Sequence, residues 1–273
     1  MPDTTTLDAA PRRELHVFYV LDTSGSMQGQ PIQRLNRAME ETTQALKQLA
    51  RHNGDAKVKI AVMEFNSTVR WMQPAGPEDM EDFFWQDLSA AGMTYVGAAL
   101  DELNSKLSRH AFLSSMTGAF LPVIIFMTDG YANDDYQGAL GRAMQNRWFR
   151  KATRVGFAIG DAPDTEMIAK LVGDSEAVIR TNDLGVFAKL LRFVTVSAST
   201  IASVSHTTDE AAGGAAAVRF ALDDADISYA EVSSGVNYTP EQAAADFGVD
   251  TSQDDFDEFG GFGDDGWMMD DEW

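Results

Sequence analysis

Three short runs of uninterrupted apolar residues constrain this chain more than any other feature: "LHVFYVL" at 15–21, "LPVIIFM" at 121–127 and "VGFAI" at 155–159. A strand with one wet face alternates apolar and polar residues, whereas a run apolar at every position needs cover on both faces. The runs therefore predict a parallel sheet between two layers of helix. "KVKIAVMEF" instead alternates Val58, Ile60 and Val62 with Lys57, Lys59 and Ala61, and "NSTVRWM" after it predicts a turn into a shorter strand at the sheet edge. After Pro31, suited to a first helical turn, Ile32, Leu35, Met39, Leu46 and Leu49 recur near helical spacing while Arg34, Arg37, Glu41 and Lys47 fall off that stripe. Weaker helices of the same kind are predicted over 96–107, 136–148, 166–171 and 184–194. Strand and helix in alternation give an α/β fold, doubly wound, with a mostly parallel central sheet and helices on both faces, over about 14–203. Residues 1–13 read as an N-terminal arm.

Charge separates the rest of the chain from this body. From Val204 onward 18 acidic residues face one basic residue, Arg219, so residues 204–273 hold −17 of the net charge of −21 and the body only −4. A near-neutral body and a strongly acidic tail offer no field for nucleic acid. The tail is expected to be largely flexible, with one helix predicted over 240–247 in "TPEQAAADFG": Thr239 as N-cap, Pro240 first, Gln242 completing a capping box, Gly248 as stop. Its end, "DDFDEFGGFGDDGWMMDDEW", interleaves carboxylates with Phe256, Phe259, Phe262, Trp267, Met268, Met269 and Trp273. Two readings stand side by side: a solvated charged tail, or a linear motif that docks on a partner. The absence of cysteine, of a signal-peptide core and of any apolar run near 18 residues leads us to expect a cytoplasmic protein without a membrane span.

The first apolar run ends in an abrupt cluster of oxygens. Asp22, Ser24 and Ser26 follow "LHVFYVL" directly and precede the first helix, so they stand in the carboxyl-end crevice where open α/β sheets bind ligands. A carboxylate with alternating hydroxyls is a donor set for Mg²⁺ or Mn²⁺ and a poor one for zinc or copper. Helix capping is the competing explanation for any one of these residues. Two further stretches weigh against it. "FMTDG" puts Asp129 at the end of the second run, with Gly130 for a sharp exit, and "AAGMTYVGAAL" puts Thr94 in a small-residue loop just before a helix. In a parallel sheet all three segments end at one edge.

In these residues the sequence resembles the von Willebrand factor A domain, whose metal-ion-dependent adhesion site reads Asp-x-Ser-x-Ser, then Thr, then Asp; "DTSGS", "GMT" and "TDG" supply it in order. The resemblance implies that Ser24 and Ser26 ligate a cation through their hydroxyls. Thr94, Asp22 and Asp129 would act directly or through water. The cation would be Mg²⁺, with Mn²⁺ or Ca²⁺ as alternatives, and one position would be left for water or for an acidic side chain of a protein partner. Gly25 and Gly92 would let their loops turn tightly; Met93, where many relatives carry glycine, would stiffen the Thr94 loop. Within the superfamily, "VLDTSGSMQGQPI" and "RVGFAIGDAPD" look most like the bacterial TerY-type proteins of tellurium-resistance and stress gene sets, a likeness that covers about 14–200 and leaves the tail unmatched. Partners implied on that ground are a protein kinase, a PP2C-like phosphatase or other proteins of the same gene set. The alternative is an adaptor for an AAA+ ATPase that acts mainly through its acidic tail.

Asp134, Asp135 and Asp161 lie near the same rim by chain order and are read either as solvated loop residues or as tuners of site charge. His16, His52, His110 and His206 are scattered, "GxxxxGK" and "HExxH" are missing, and Ser24 and Ser26 have no base beside them in sequence. The chain is accordingly read as an interaction module and not as an enzyme.

Overall fold

The computed structural model describes residues 12–52, 56–115, 118–160, 163–180, 189–192, 194–196, 198 and 214–219. The first apolar run forms β1 (Arg13–Asp22), and the stripe after Pro31 forms α1 (Gln30–His52). Then come β2 (Ala56–Phe65), the short β3 (Val69–Trp71) and β4 (Glu78–Asp79), and, after a long connection, α2 (Val96–Lys106). The second run is β5 (Val123–Thr128), followed by α3 (Tyr136–Gln145) and α4 (Arg147–Arg150); the third is β6 (Thr153–Ala158), followed by α5 (Thr165–Val172) and β7 (Val178–Arg180).

The strands form one sheet in the order β3-β2-β1-β5-β6-β7, with β4 also paired to β2. β1, β2, β5, β6 and β7 run parallel, while β3 and β4 run antiparallel along the outer edge of β2. Sequence reading anticipates β3 as an edge strand and does not anticipate β4 or β7, each too short to show a pattern. From β1 the chain goes first to β2 on one side and later to β5 on the other, so the strand order reverses at β1. That reversal opens a crevice beyond the carboxyl ends of β1 and β5.

Alternate side chains of each strand enter opposite layers. Leu15, Val17, Tyr19 and Leu21 pack with Leu35, Met39 and Leu46 of α1, and Phe18 and Val20 pack with α2, α3 and α5 through Leu100, Leu140 and Ile168. Tyr19 is fully buried, and its hydroxyl shares a 2.9 Å hydrogen bond with Thr195. This satisfies the polar end of a large core side chain.

Two departures from the sequence reading have local causes. The helix expected over 136–148 breaks at Asn146, whose side-chain oxygen accepts from Trp148 N (2.9 Å) while its amide donates to Asn104 Oδ1 (2.8 Å) and Leu107 O (3.0 Å). A side chain that serves its own backbone and a neighbouring helix end competes with helix continuation. Residues 214–219, within the stretch assigned above to the tail, are helical and part of the body. Ala217 and Val218 join the core layer of α1, Arg219 pairs with Glu176, and a Cβ built on Gly214 would lie 2.2 Å from the Arg154 carbonyl. The alanine-rich composition hides this segment, and Gly214 is what lets its start approach so closely. The helix expected over 240–247 lies outside the described residues, and none of the described helices is long and apolar enough to cross a membrane.

Candidate functional site

Asp22 is the last residue of β1 and is fully buried, held at both oxygens: Ser24 N donates to Oδ1 (2.8 Å) and Thr128 Oγ1 to Oδ2 (2.5 Å). Next to it, Ser26 Oγ donates to Asp129 Oδ1 (2.8 Å), and the Ser24 and Ser26 hydroxyls share a 3.0 Å bond. Each serine has a single hydroxyl proton. With Asp129 ionised, Ser26 spends its proton on the carboxylate, so Ser24 is the donor to Ser26. The proton chain then runs Ser24 to Ser26 to Asp129 and leaves at least one lone pair uncommitted on each serine oxygen, Ser24 being buried and Ser26 exposed.

Thr94 belongs to the same cluster. A Cβ built on Gly130 would stand 3.6 Å from Ser26 Oγ and 3.8 Å from Thr94 Oγ1, so these hydroxyls flank one small space above Gly130. Thr94 is buried, and among the described residues its hydroxyl has no hydrogen-bond partner. All five oxygen-bearing residues named from the sequence, Asp22, Ser24, Ser26, Thr94 and Asp129, therefore meet at the crevice between β1 and β5.

The glycines act differently from expectation at two positions. Gly92 has φ +84°, the left-handed region, and a side chain there would meet Ser67 Oγ at 2.7 Å, so its expected freedom is used. Gly25 supplies close approach in place of an unusual turn angle: its N–H donates to Gly92 O at 2.9 Å, and a Cβ would lie 3.2 Å from that oxygen. Gly130, expected to give a sharp exit, is not among the described glycines with positive φ; what it provides is the open space between two hydroxyls.

Several residues that sequence reading passed over hold the three segments in register. Thr23 N and Oγ1 both donate to Phe65 O, Asn66 Nδ2 donates to Thr23 Oγ1 (3.2 Å), and Ala91 N donates to Thr23 O (2.8 Å). The Met93 backbone N–H donates to Ser67 Oγ (2.9 Å), so the restraint on that loop comes from its backbone as well as from the loss of a glycine. Asn133 clasps Thr94 twice, accepting from Thr94 N at Oδ1 and donating through its own N–H to Thr94 O, both at 2.8 Å. Asp134 and Asp135, read above as solvated or charge-tuning, are caps. Asp134 accepts from Gly97 N and Ala98 N at the start of α2, each at 2.9 Å, and Asp135 accepts from Gly138 N at the start of α3. Asp161 lies outside the described residues, as do Phe256, Phe259, Phe262, Trp267 and Trp273.

Both carboxylates are held above their ordinary range. Burial raises the Asp22 pKa against hydrogen bonds from Thr128 and Ser24 that favour its anion. Burial also raises that of Asp129 against the Ser26 hydrogen bond, with the nearby Asp22 charge adding to the rise. Two carboxylates that resist ionisation beside hydroxyls with uncommitted lone pairs form a cradle whose electrostatic deficit a cation would offset. The donors are all oxygen, which suits a hard cation. Among the described residues no three or more His, Cys, Asp or Glu side chains group to hold a metal ion, and a site here would rest mainly on hydroxyls.

Over residues 16–192 the sequence matches the family described as von Willebrand factor type A domain. A search of curated proteins returns no match. Among solved structures the fold is similar to a von Willebrand factor type A protein from Catenulispora acidiphila (18% identity, TM-score 0.50, covering 68% of this chain and 42% of that one). It is also similar to proximal thread matrix protein 1 of the mussel byssus, described with a zinc-occupied MIDAS motif (16% identity, TM-score 0.50, 68% and 48%). A third is the open conformation of the pilus adhesin SpaC from Lactobacillus rhamnosus GG (11% identity, TM-score 0.52, 69% and 30%). The match spans less than half the length of each of these chains, and at such identities the likeness is one of fold.

Proposed function

This chain belongs to the von Willebrand factor type A family, and on that premise we propose that it is a divalent-cation-dependent protein-binding module. Domains of this family commonly mediate protein–protein interaction. In the proposed site the Ser24, Ser26 and Thr94 hydroxyls hold the cation, with Asp22 and Asp129 acting directly or through water. The observation that carries the reading is the convergence of these five residues at the strand-order reversal, with Ser24, Ser26 and Asp129 linked by hydrogen bonds and the Thr94 hydroxyl left without a described partner. Mg²⁺ is the cation proposed, since it is satisfied by few protein oxygens and retains exchangeable positions; Mn²⁺ fits the same donors. The mussel protein's zinc-occupied motif indicates that borderline metals also enter sites of this kind. A cation held in this way keeps a position for an acidic side chain of a partner and so bridges two proteins.

We further propose that this module works as an adaptor in a bacterial stress or tellurium-resistance gene set, with a kinase, a PP2C-like phosphatase or another protein of that set as partner. The support is the likeness of "VLDTSGSMQGQPI" and "RVGFAIGDAPD" to TerY-type proteins. The test is affinity capture with wild type and with the Ser24→Ala/Ser26→Ala variant, each in Mg²⁺ and in EDTA. Partners that disappear with both the variant and EDTA support a metal-bridged adaptor and identify its system. Partners retained in every arm refute it.

A further inference from the structure

Only three large hydrophobic side chains are strongly exposed among the described residues: Phe84 (74%), Tyr131 (64%) and Met93 (49%). Phe84 is engaged, its ring 4.2 Å from the Lys47 ammonium. The other two flank the oxygen cluster: Met93 precedes Thr94 and Tyr131 follows Gly130, on loops joined by the Asn133 clasp. Isolated exposed hydrophobics carry no message, but a pair rimming a single polar site does. A ligand matched to this rim presents a carboxylate with large apolar side chains beside it.

The chain carries such a sequence. Residues 254–273 hold nine carboxylates and no basic residue, and Phe256, Phe259, Trp267 and Trp273 each lie within two positions of an acid. The tether is attached to the body, because Ala217 and Val218 are buried in the core and Arg219 pairs with Glu176. From Arg219 to Asp254 there are 34 intervening residues, able to span roughly 110 Å at about 3.3 Å each. A body of this size has a radius of gyration of about 16 Å, so the site is within reach. Tethering also presents the segment at an effective concentration on the order of millimolar.

We propose that residues 254–273 dock on the cation site of their own chain, with one carboxylate in the position left for a partner and aromatic side chains over Met93 and Tyr131. This rests on the cation-binding reading above. Docking of this kind makes the tail an internal competitor: an external acidic partner must displace it, and modification or capture of the tail opens the site.

The test uses the full ¹⁵N-labelled chain titrated with Mn²⁺, with the electron paramagnetic resonance signal reporting site occupancy and amide line-broadening reporting where the tail lies. One bound Mn²⁺ should erase the amide peaks of residues 254–273 at every protein concentration, and the Met93→Ser/Tyr131→Ser variant should keep its Mn²⁺ while recovering those peaks. Sharp tail peaks with the Mn²⁺ bound overturn docking and leave the cation site standing. Broadening that grows with protein concentration assigns the tail to a second copy and overturns docking within one chain. Broadening that survives Asp129→Ala shows the tail chelating Mn²⁺ by itself and overturns the proposal too. Absence of one-to-one Mn²⁺ binding overturns both readings.

Discussion

Replacing Asn133 with alanine tests whether the clasp on Thr94 prepares the site or merely decorates it. The substitution leaves the Asn133 N–H on Thr94 O and removes only the side-chain acceptor for Thr94 N, a 2.8 Å bond to a residue that is 5% exposed. A buried donor left without its acceptor costs about 1–3 kcal/mol. In the metal-free protein the loop can relax and let that N–H reach water, whereas cation binding must restore the original position. The penalty then falls on binding, and about 1.4 kcal/mol for each factor of ten makes it a roughly 5- to 150-fold loss of Mg²⁺ or Mn²⁺ affinity. Outer-shell partners of metal ligands commonly show losses of about 10- to 100-fold. Titration calorimetry on wild type, Asn133→Ala and Asn133→Asp measures it, and the aspartate, which keeps an acceptor, should recover most of the affinity. A metal affinity for Asn133→Ala within twofold of wild type, at unchanged melting temperature of the metal-free protein, would refute the reasoning.

Three further outcomes follow from the same structure. In EDTA at neutral pH, Asp22→Asn should melt above wild type. The raised pKa of the buried acid means that its stabilising contribution is complete below the ordinary value of 3.8 and is lost as pH rises through the folded value, and the amide can still accept from Ser24 N and donate to Thr128. The same variant should lose the Mg²⁺-dependent rise in melting temperature, and a lower melting point than wild type in EDTA would contradict this account. His16 is buried beside Lys59, and burial first, then the Lys59 charge, lower its pKa from 6.5 to about 4 despite Glu14 3.5 Å away. Its contribution is complete above pH 6.5 and should fall toward pH 4 by at most about 3 kcal/mol, at about 1.4 kcal/mol per pH unit; a chemical-denaturation series in which His16→Gln shows the same slope over that window would exclude it. Gly214→Val should destabilise by about 1–3 kcal/mol, as overpacking does, because any Cβ there meets the Arg154 carbonyl; an unchanged melting curve would mean that 214–219 does not pack as described.

What could be read in advance follows from how far along the chain each signal extends. β1, β5 and β6 announce themselves because a strand covered on both faces must be apolar at every position, and α1 because 23 residues give its stripe several turns in which to repeat. β4, with two residues, and β7, with three, carry no period at all; they exist because β2 and β6 offer unpaired edges. The segment 214–219 was hidden for another reason. Small residues contribute little to an apolar stripe, yet close approach to the Arg154 carbonyl and Ala177 requires a glycine at 214.

The same distinction divides the site. That the five oxygen-bearing residues come together was legible because each sits at a strand end or before a helix, so residue type and position agree within a few residues. Asn133, Ser67, Asn66 and Thr128 were not legible, because each acts on an atom supplied by a distant stretch: Asn133 lies 39 positions from Thr94, and Thr128 lies 106 from Asp22. An asparagine or threonine in a loop is ordinary until the fold sets a buried N–H or carboxylate opposite it. Because the clasp joins the Thr94 loop to the loop after Asp129, and Asp134 ties the second loop to the start of α2, the two segments cannot shift independently. Under the proposed reading, a partner carboxylate that pulled on the cation would therefore act on α2 and α3 together, passing from Thr94 through Asn133 to the caps made by Asp134 and Asp135.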